Sequence, residues 1–127
     1  DASAYAGFST VEPWLPVHQN HRYRNVAQQR HEPASIFVMY RTLLALRMKH
    51  AVLRQASLSW HPTEHNVLHY ELTHGEVRFA VYANMDDEPK DISAEGSIVA
   101  TTYPDQVAGK LGAHQAVLVD ISNVEHP

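Results

Sequence analysis

The histidines are the residues whose type and spacing could most directly do chemistry. The chain has ten of them, and His61, His65 and His69 follow one another at intervals of four. On a helix this spacing would place three imidazoles on one face, where they could bind a metal ion. Pro62 and the alternating pattern that begins at Val67 argue against a helix, so we interpret these histidines as surface or half-buried side chains.

The remaining histidines and the acidic residues offer no stronger site. His18 and His21 lie in a loop-like segment without an acidic partner nearby. The one close group of acids runs from Asp86 to Glu88 and ends in Pro89, a composition typical of a solvated turn. Hydrolysis by paired carboxylates needs two acids held at a fixed separation on rigid elements. We therefore expect this group to be structural.

Motifs for nucleophilic, phosphate or dinucleotide chemistry are absent from the sequence. There is no G-x-S-x-G, no phosphate-binding glycine loop and no dinucleotide fingerprint. Ser57 and Ser59 fall in a predicted strand without an arranged base. The chain has no cysteine, which excludes disulfides, thiolate catalysis and cysteine zinc sites. We predict no catalytic, no cofactor-binding and no metal-binding residue in this chain.

The first segment, from Asp1 to about His31, is rich in glycine, proline, serine, asparagine and aromatic residues. Its apolar residues follow neither the helical nor the strand period. A loop of this length is uncommon in a compact domain, and Phe8 and Trp14 need a surface to cover them. These aromatics could stack on a ligand. The interpretation we favour is that they fix the loop to a neighbouring surface.

One helix and a run of strands are predicted to follow. Residues 33–49 carry the helical period, with Pro33 expected at the first helical position and Glu32 as N-cap. From about Gln55 to Asn123 the pattern alternates as in strands. The apolar helix stripe is Ile36, Tyr40, Leu43 and Leu44, and the strands are predicted at Val67–Leu72, Val77–Tyr82, Ser97–Tyr103 and Ala116–Ile121, with a hairpin turn at Thr73–Glu76. A helix followed by strands indicates two structural units that meet near residue 55.

The composition is that of an ordinary globular protein. Of the 127 residues, 44% are apolar and 19% charged, and the formal net charge is −4 with both signs scattered. No basic patch indicates nucleic-acid binding, and no apolar run approaches the roughly 20 residues of a membrane span. These features exclude a nucleic-acid-binding stripe and a membrane span in this sequence.

Several spaced motifs resemble glycoside hydrolase family 13 α-glucosidases. That family has Ala-Gly-Phe-Ser/Thr followed by Trp-Leu-Pro-Val, and its last barrel helix is similar to residues 33–47. The Phe-Ser and Val-His variants resemble insect maltases more than bacterial oligosaccharide hydrolases. The matching residues are Ala6-Gly7-Phe8-Ser9, Trp14-Leu15-Pro16-Val17-His18, Asn25-Val26-Ala27, Tyr40-Arg41 and Leu43 to Arg47.

The resemblance implies an α+β fragment. Residues 1–54 would be the last loop and helix of a (β/α)8 barrel, and residues 55–127 a small antiparallel all-β C-terminal domain, which in this family is a β-sandwich. The family's three catalytic acids lie at barrel strands upstream of Asp1, so none maps here. The chain would need the missing barrel as its packing partner.

The implied parent is an α-glucosidase that hydrolyses terminal α-linked glucose from maltose, sucrose or short oligosaccharides with retention and without a cofactor. The chain alone would be inactive. The compartment stays unknown, and would be extracellular, by secretion or a membrane anchor, if the parent is insect-like. Two alternatives stay open: a non-catalytic member of the family, such as a transporter heavy subunit, or an independent carbohydrate-binding or interaction module.

Overall fold

A computed structural model describes residues 1–103 and 109–124. The chain forms two compact units, Asp1–Thr42 and Leu43–Pro127, which are described one after the other. This division falls inside a helix and concerns packing, so the domain boundary predicted between residues 54 and 55 stays a prediction. No helix among the described residues combines the length and the apolarity needed to cross a membrane.

The first unit is mostly irregular, as its composition predicts. It contains a 3-10 helix, Gln19–Arg22, and a one-turn helix α1, Val26–Gln29. The ring of His21 lies 2.9 Å from the carbonyl oxygens of both His18 and Ser3, so it fastens the start of the loop. Asn25 caps α1, because its side-chain oxygen accepts the N–H of Gln28 at 3.0 Å.

Helix α2, Ile36–Lys49, begins later than predicted. The hydroxyl of Ser35 accepts the N–H of Val38 at 3.2 Å and donates to the carbonyl of Gln29 at 2.6 Å. A serine oxygen at the N-cap satisfies one of the free N–H groups of the first turn, which a glutamate does less well. The predicted N-cap at Glu32 and first helical residue at Pro33 are therefore wrong.

Beyond the last residues of α2, the described part of the second unit has a short helix and two antiparallel sheets. The helix α3, Val52–Gln55, was not predicted. The strands are β1 Ser57–Trp60, β2 Val67–His74, β3 Val77–Asn84, β4 Lys90–Asp91, β5 Ser97–Thr101, β6 Lys110–Leu111 and β7 Ala116–Asp120. The larger sheet has the strand order β1-β2-β3-β7-β5, and the smaller one pairs β4 with β6. The predicted strands are confirmed, and the β-sandwich stays a prediction.

The β2–β3 hairpin pairs without interruption from Val67 opposite Asn84 to His74 opposite Val77. The turn is therefore Gly75-Glu76, shorter than predicted because β2 continues to His74 and does not end at Leu72. Gly75 has a φ of +61°, a conformation that glycine adopts without steric cost.

The two faces of this hairpin bury different groups. On one face Phe79 is completely buried, its ring lies 5.3 Å from that of His50, and Val52 of α3 is also buried. On the other face Ala80 joins the main apolar cluster. The remaining members of that cluster are Val67, Leu111, Val117, Val119 and Ile121. Strand β3 therefore sits between two packed layers.

Asn84 at the end of β3 holds the loops beside this cluster. Its buried amide nitrogen donates to the carbonyls of Glu88 and Gly112, both at 2.8 Å. Its oxygen accepts the N–H of Asp86 at 3.0 Å. Three main-chain groups from two loops thus depend on one side chain.

Replacement of Asn84 by alanine should lower the free energy of unfolding by about 2 to 4 kcal/mol, because it strands these main-chain groups. The measurement is chemical denaturation at neutral pH. The exposed Asn123 provides the matched control, and Asn123→Ala should change the free energy by less than about 0.5 kcal/mol. Equal effects of the two substitutions would contradict the role given to Asn84.

Candidate functional site

The antiparallel pairing of β1 with β2 brings two of the three spaced histidines together. His61 directly follows β1, and its main-chain N–H donates to the main-chain carbonyl of His69 on β2 at 3.1 Å. Glu71 lies two residues beyond His69 and so on the same face of the strand. One ring nitrogen of each histidine and one oxygen of Glu71 all lie within 4.8 Å of one another. His65 is outside this group, in the connection between the strands, with a φ of +51°.

Three rings are stacked at this position. The rings of His61 and His69 have centroids 4.1 Å apart and an interplanar angle of 11°. The ring of Tyr82, opposite His69 on β3, lies 4.2 Å further along the stack at 16°. The stack is therefore a direct product of the strand register.

A line of charge runs beside the stack. Glu71 lies between His61, whose Nε2 is 3.3 Å from Oε1, and Arg78, whose guanidinium donates to Oε2 at 3.1 Å. His61 Nε2 and Glu71 Oε1 are at ion-pair distance but do not form a hydrogen bond. The Nε2 atoms of His61 and His69 are both buried without a hydrogen-bond partner in the structure. Arg78 thus holds the carboxylate, and the two ring nitrogens remain unsatisfied.

The surroundings shift the protonation of two of these rings. Burial lowers the pKa of His69, and the neighbouring His61 lowers it further, while Glu71 acts in the opposite direction. Burial also raises the pKa of the Tyr82 hydroxyl, and the charge of Glu71 adds to this. His69 is therefore held as a neutral imidazole and Tyr82 as a neutral phenol at neutral pH.

A small groove opens next to the ring stack. It has a volume of about 250 Å³ and combines apolar and polar walls. His69 and Tyr82 of the stack and Asp91 of β4 line this groove. The other lining residues are Pro62, Glu64, His65, Val67, Ile92 and Ser93. The groove therefore borders the ring stack at His69 and Tyr82.

The other residues considered in the sequence have structural contacts. Asp86 bonds to Lys90 at 2.8 Å and to Asn66 at 3.3 Å, which together lower its pKa to about 2. Asp87 lies 2.8 Å from the ring of His114. The acidic group at residues 86–88 is thus a turn, as predicted.

Glu71, Arg78 and Tyr82 were not singled out from the sequence. The available signal was the alternation His69-x-Glu71 within a predicted strand, which places both side chains on one face. The contribution of His61, Arg78 and Tyr82 depends on cross-strand register, which spacing along the chain does not give.

Stability of the metal-free protein should decline as the pH falls below about 6.5. The unfolded chain protonates His69 near its ordinary pKa, whereas the folded state resists protonation. The contribution of His69 to the free energy of unfolding is therefore complete above that pH and is lost as the pH falls toward the lower pKa of the folded state. The other titratable groups facing His69 are His61, Glu71 and Tyr82, with Glu64, His65 and Asp91 along the groove.

The measurement is the free energy of unfolding between pH 8 and pH 5, in EDTA, for the unsubstituted protein and for His69→Gln. The substitution should flatten this pH dependence. His74→Gln, at the exposed end of the same strand, should leave it unchanged. An unaltered slope in His69→Gln would contradict the assignment.

Comparison with known proteins gives a consistent result across the chain. Residues 1–56 match the family model described as "Alpha amylase, catalytic domain". The chain is 37% identical over 98 residues to a glucan 1,6-α-glucosidase of Streptococcus pneumoniae, which covers 77% of this chain and 18% of the relative. It is 37% identical over 82 residues to a probable α-glucosidase of Rhizobium meliloti, covering 65% and 15%. The chain thus spans less than a fifth of the length of these relatives.

Solved structures show the same architecture. Trehalulose synthase MutB from Pseudomonas mesoacidophila MX-45 superimposes on 94% of this chain and 24% of its own, with a TM-score of 0.83 and 25% identity. Isomaltulose synthase from Klebsiella sp. LX3 superimposes with a TM-score of 0.85 at 21% identity, which supports the fold alone.

The predicted fold class is confirmed: the catalytic-domain match ends where the antiparallel sheet begins, and the solved relatives contain this arrangement. The insect-like leaning stays a prediction. The predicted resemblance itself is confirmed by the matches to the family model, to glucosidases and to solved enzymes. In sequence and in fold, the chain resembles glycoside hydrolase family 13, the α-amylase family.

Proposed function

We propose that this chain is the C-terminal part of a retaining α-glucosidase that releases terminal α-linked glucose from short oligosaccharides. The observation that carries the proposal is the 37% identity over 98 residues to a glucan 1,6-α-glucosidase. The substrates we propose are maltose, sucrose and short oligosaccharides. The names of several relatives, including the oligo-1,6-glucosidase of Bacillus cereus, extend this set to α-1,6 linkages.

The chemistry is proposed to come from acids outside this chain. A retaining glycosidase needs a nucleophilic carboxylate and an acid/base carboxyl about 5 to 5.5 Å apart across the sugar. In a (β/α)8 barrel such residues stand at the C-terminal ends of the strands. Within the described residues, Glu71 and Asp86 are held in ion pairs with Arg78 and Lys90. Its proposed contribution is to complete the barrel and support its rim.

The exposed apolar side chains support a packing partner of this kind. None of the residues of α2 is buried. Ile36, Tyr40, Leu44 and Met48, spaced by four, are all exposed, and Trp14 in the loop is 91% exposed. An apolar stripe at helical spacing is typical of a helix that packs against neighbouring elements. We propose that the remaining barrel covers this stripe and the loop aromatics.

Activity provides the first test. The full-length product that contains this chain should release glucose from at least one of maltose, sucrose and isomaltose, and the isolated chain should release none. Freshly released glucose should be the α-anomer, followed by proton NMR, because retention preserves the configuration. An inactive full-length product would favour the non-catalytic family member, and hydrolysis by the isolated chain would contradict the proposal.

Packing provides the second test, through Leu44→Asp in the full-length product. If the barrel covers Leu44, a buried unpaired carboxylate should lower the free energy of unfolding by about 3 kcal/mol or more. The matched control is Thr42→Asp, an exposed residue on the opposite side of α2 from the stripe, which should change it by less than about 0.5 kcal/mol.

Both variants are measured by denaturant unfolding of the same full-length protein. Equal small effects would show that Leu44 stays exposed, and the covered-stripe proposal would then be wrong whatever the enzyme's activity.

A further inference from the structure

The cluster of His61, His69 and Glu71 has the donor atoms of a transition-metal site. Two imidazole nitrogens and a carboxylate oxygen lie within 4.8 Å of one another. In a tetrahedral zinc site with ligand bonds of about 2.1 Å, neighbouring ligand atoms are about 3.4 Å apart. The 3.3 Å between His61 Nε2 and Glu71 Oε1 matches that separation. These two donor atoms are therefore close enough to bind one metal ion.

The unsatisfied atoms point to the same interpretation. The Nε2 atoms of His61 and His69 are both buried, and neither has a hydrogen-bond partner in the structure. A buried polar atom without a partner is costly, and such atoms are rare in folded proteins. A cation that is coordinated by both nitrogens and by Glu71 would satisfy the three groups together.

The surroundings supply a supporting contact and an access route. Arg78 donates to the Glu71 oxygen that does not face His61, at 3.1 Å, which orients the carboxylate as outer contacts do in metal sites. The positive charge of Arg78 also weakens attraction for a cation, so micromolar rather than nanomolar affinity is expected. The side chain of His61 is 38% exposed overall, so rotation of its ring would open a fourth position to a solvent ligand.

Binding requires one ring to turn. The rings of His61 and His69 are nearly parallel, so their in-plane lone pairs run side by side and do not converge. His69 is held between His61 and Tyr82 in the stack. His61 follows the end of β1 and is partly exposed, so it is the ring that can rotate about its terminal side-chain torsion.

We propose that His61, His69 and Glu71 form a binding site for a divalent cation of the zinc class on the β-domain. Two imidazoles and one carboxylate select zinc and neighbouring transition metals over calcium or magnesium, which prefer all-oxygen sites. This site is separate from glycoside hydrolysis and does not depend on the proposed activity.

The test uses tag-free full-length protein, because a histidine tag would bind the same ions. Protein stripped with EDTA and returned to metal-free buffer at pH 7.5 is titrated with Zn²⁺ against a coloured chelator, and with Co²⁺ while visible absorption is recorded. The variants are His69→Gln and Glu71→Gln, with His74→Gln as control on the same strand. Circular dichroism establishes that each variant is folded.

The unsubstituted protein should bind one equivalent of Zn²⁺ more than His69→Gln does. The affinity for Zn²⁺ at the proposed site should fall about 10-fold or more in His69→Gln and in Glu71→Gln. The control should match the unsubstituted protein. Where His69→Gln fails to fold, His61→Gln at the partly exposed strand end replaces it. Identical Zn²⁺ binding and Co²⁺ spectra in the unsubstituted protein and the folded variants would overturn the proposal and leave a metal-free ring stack.

Discussion

The uninterrupted register between β2 and β3 is the constraint on which the second unit depends. Eight residue pairs fix which side chains face which layer. Phe79 and Ala80 are both fully buried, although they point to opposite faces. A slip of one residue would exchange these faces along the strand, so the packing on both sides locks the register. The pairing of β7 against β3 extends the same assignment across the sheet.

The same register explains why polar groups lie at the margin of an apolar face. Ala80 on β3 pairs with Val119 on β7, and both belong to the main cluster. On its other neighbouring strand, β2, Ala80 pairs with Glu71, which lies one strand nearer the edge of the sheet. On β2, Glu71 is paired with Arg78, which offsets the cost of removing its charge from water. The apolar cluster thus gives way to the histidine stack within the width of one strand.

Much of the strand arrangement could be predicted from the sequence, because alternation and Gly75 are local signals. The starts of short elements could not. Strands β4 and β6 have two residues each, too few to show a period, yet Leu111 in β6 is completely buried. The helix start was misplaced because Pro33 and Ser35 are both acceptable near an N-terminus, and a hydrogen bond decides between them.

The site was predictable only in part, because its spacing is that of a helix while its geometry is that of a hairpin. His61 and His69 meet since an antiparallel turn reverses the chain between them. Sequence spacing alone indicated three histidines, and the fold selects two and adds Glu71. The family, in contrast, was predictable from linear motifs such as Trp14-Leu15-Pro16-Val17, whose order does not require a fold.

The two outer strands of the five-stranded sheet have a consequence for self-association. Each is short: β1 has four residues and is followed within two positions by Pro62, which lacks an N–H, and β5 has five residues with an irregularity between Ile98 and Ala100. Short, bulged or proline-flanked edges offer few main-chain groups to a second sheet. The sheet is therefore poorly suited to amyloid-like growth by strand addition.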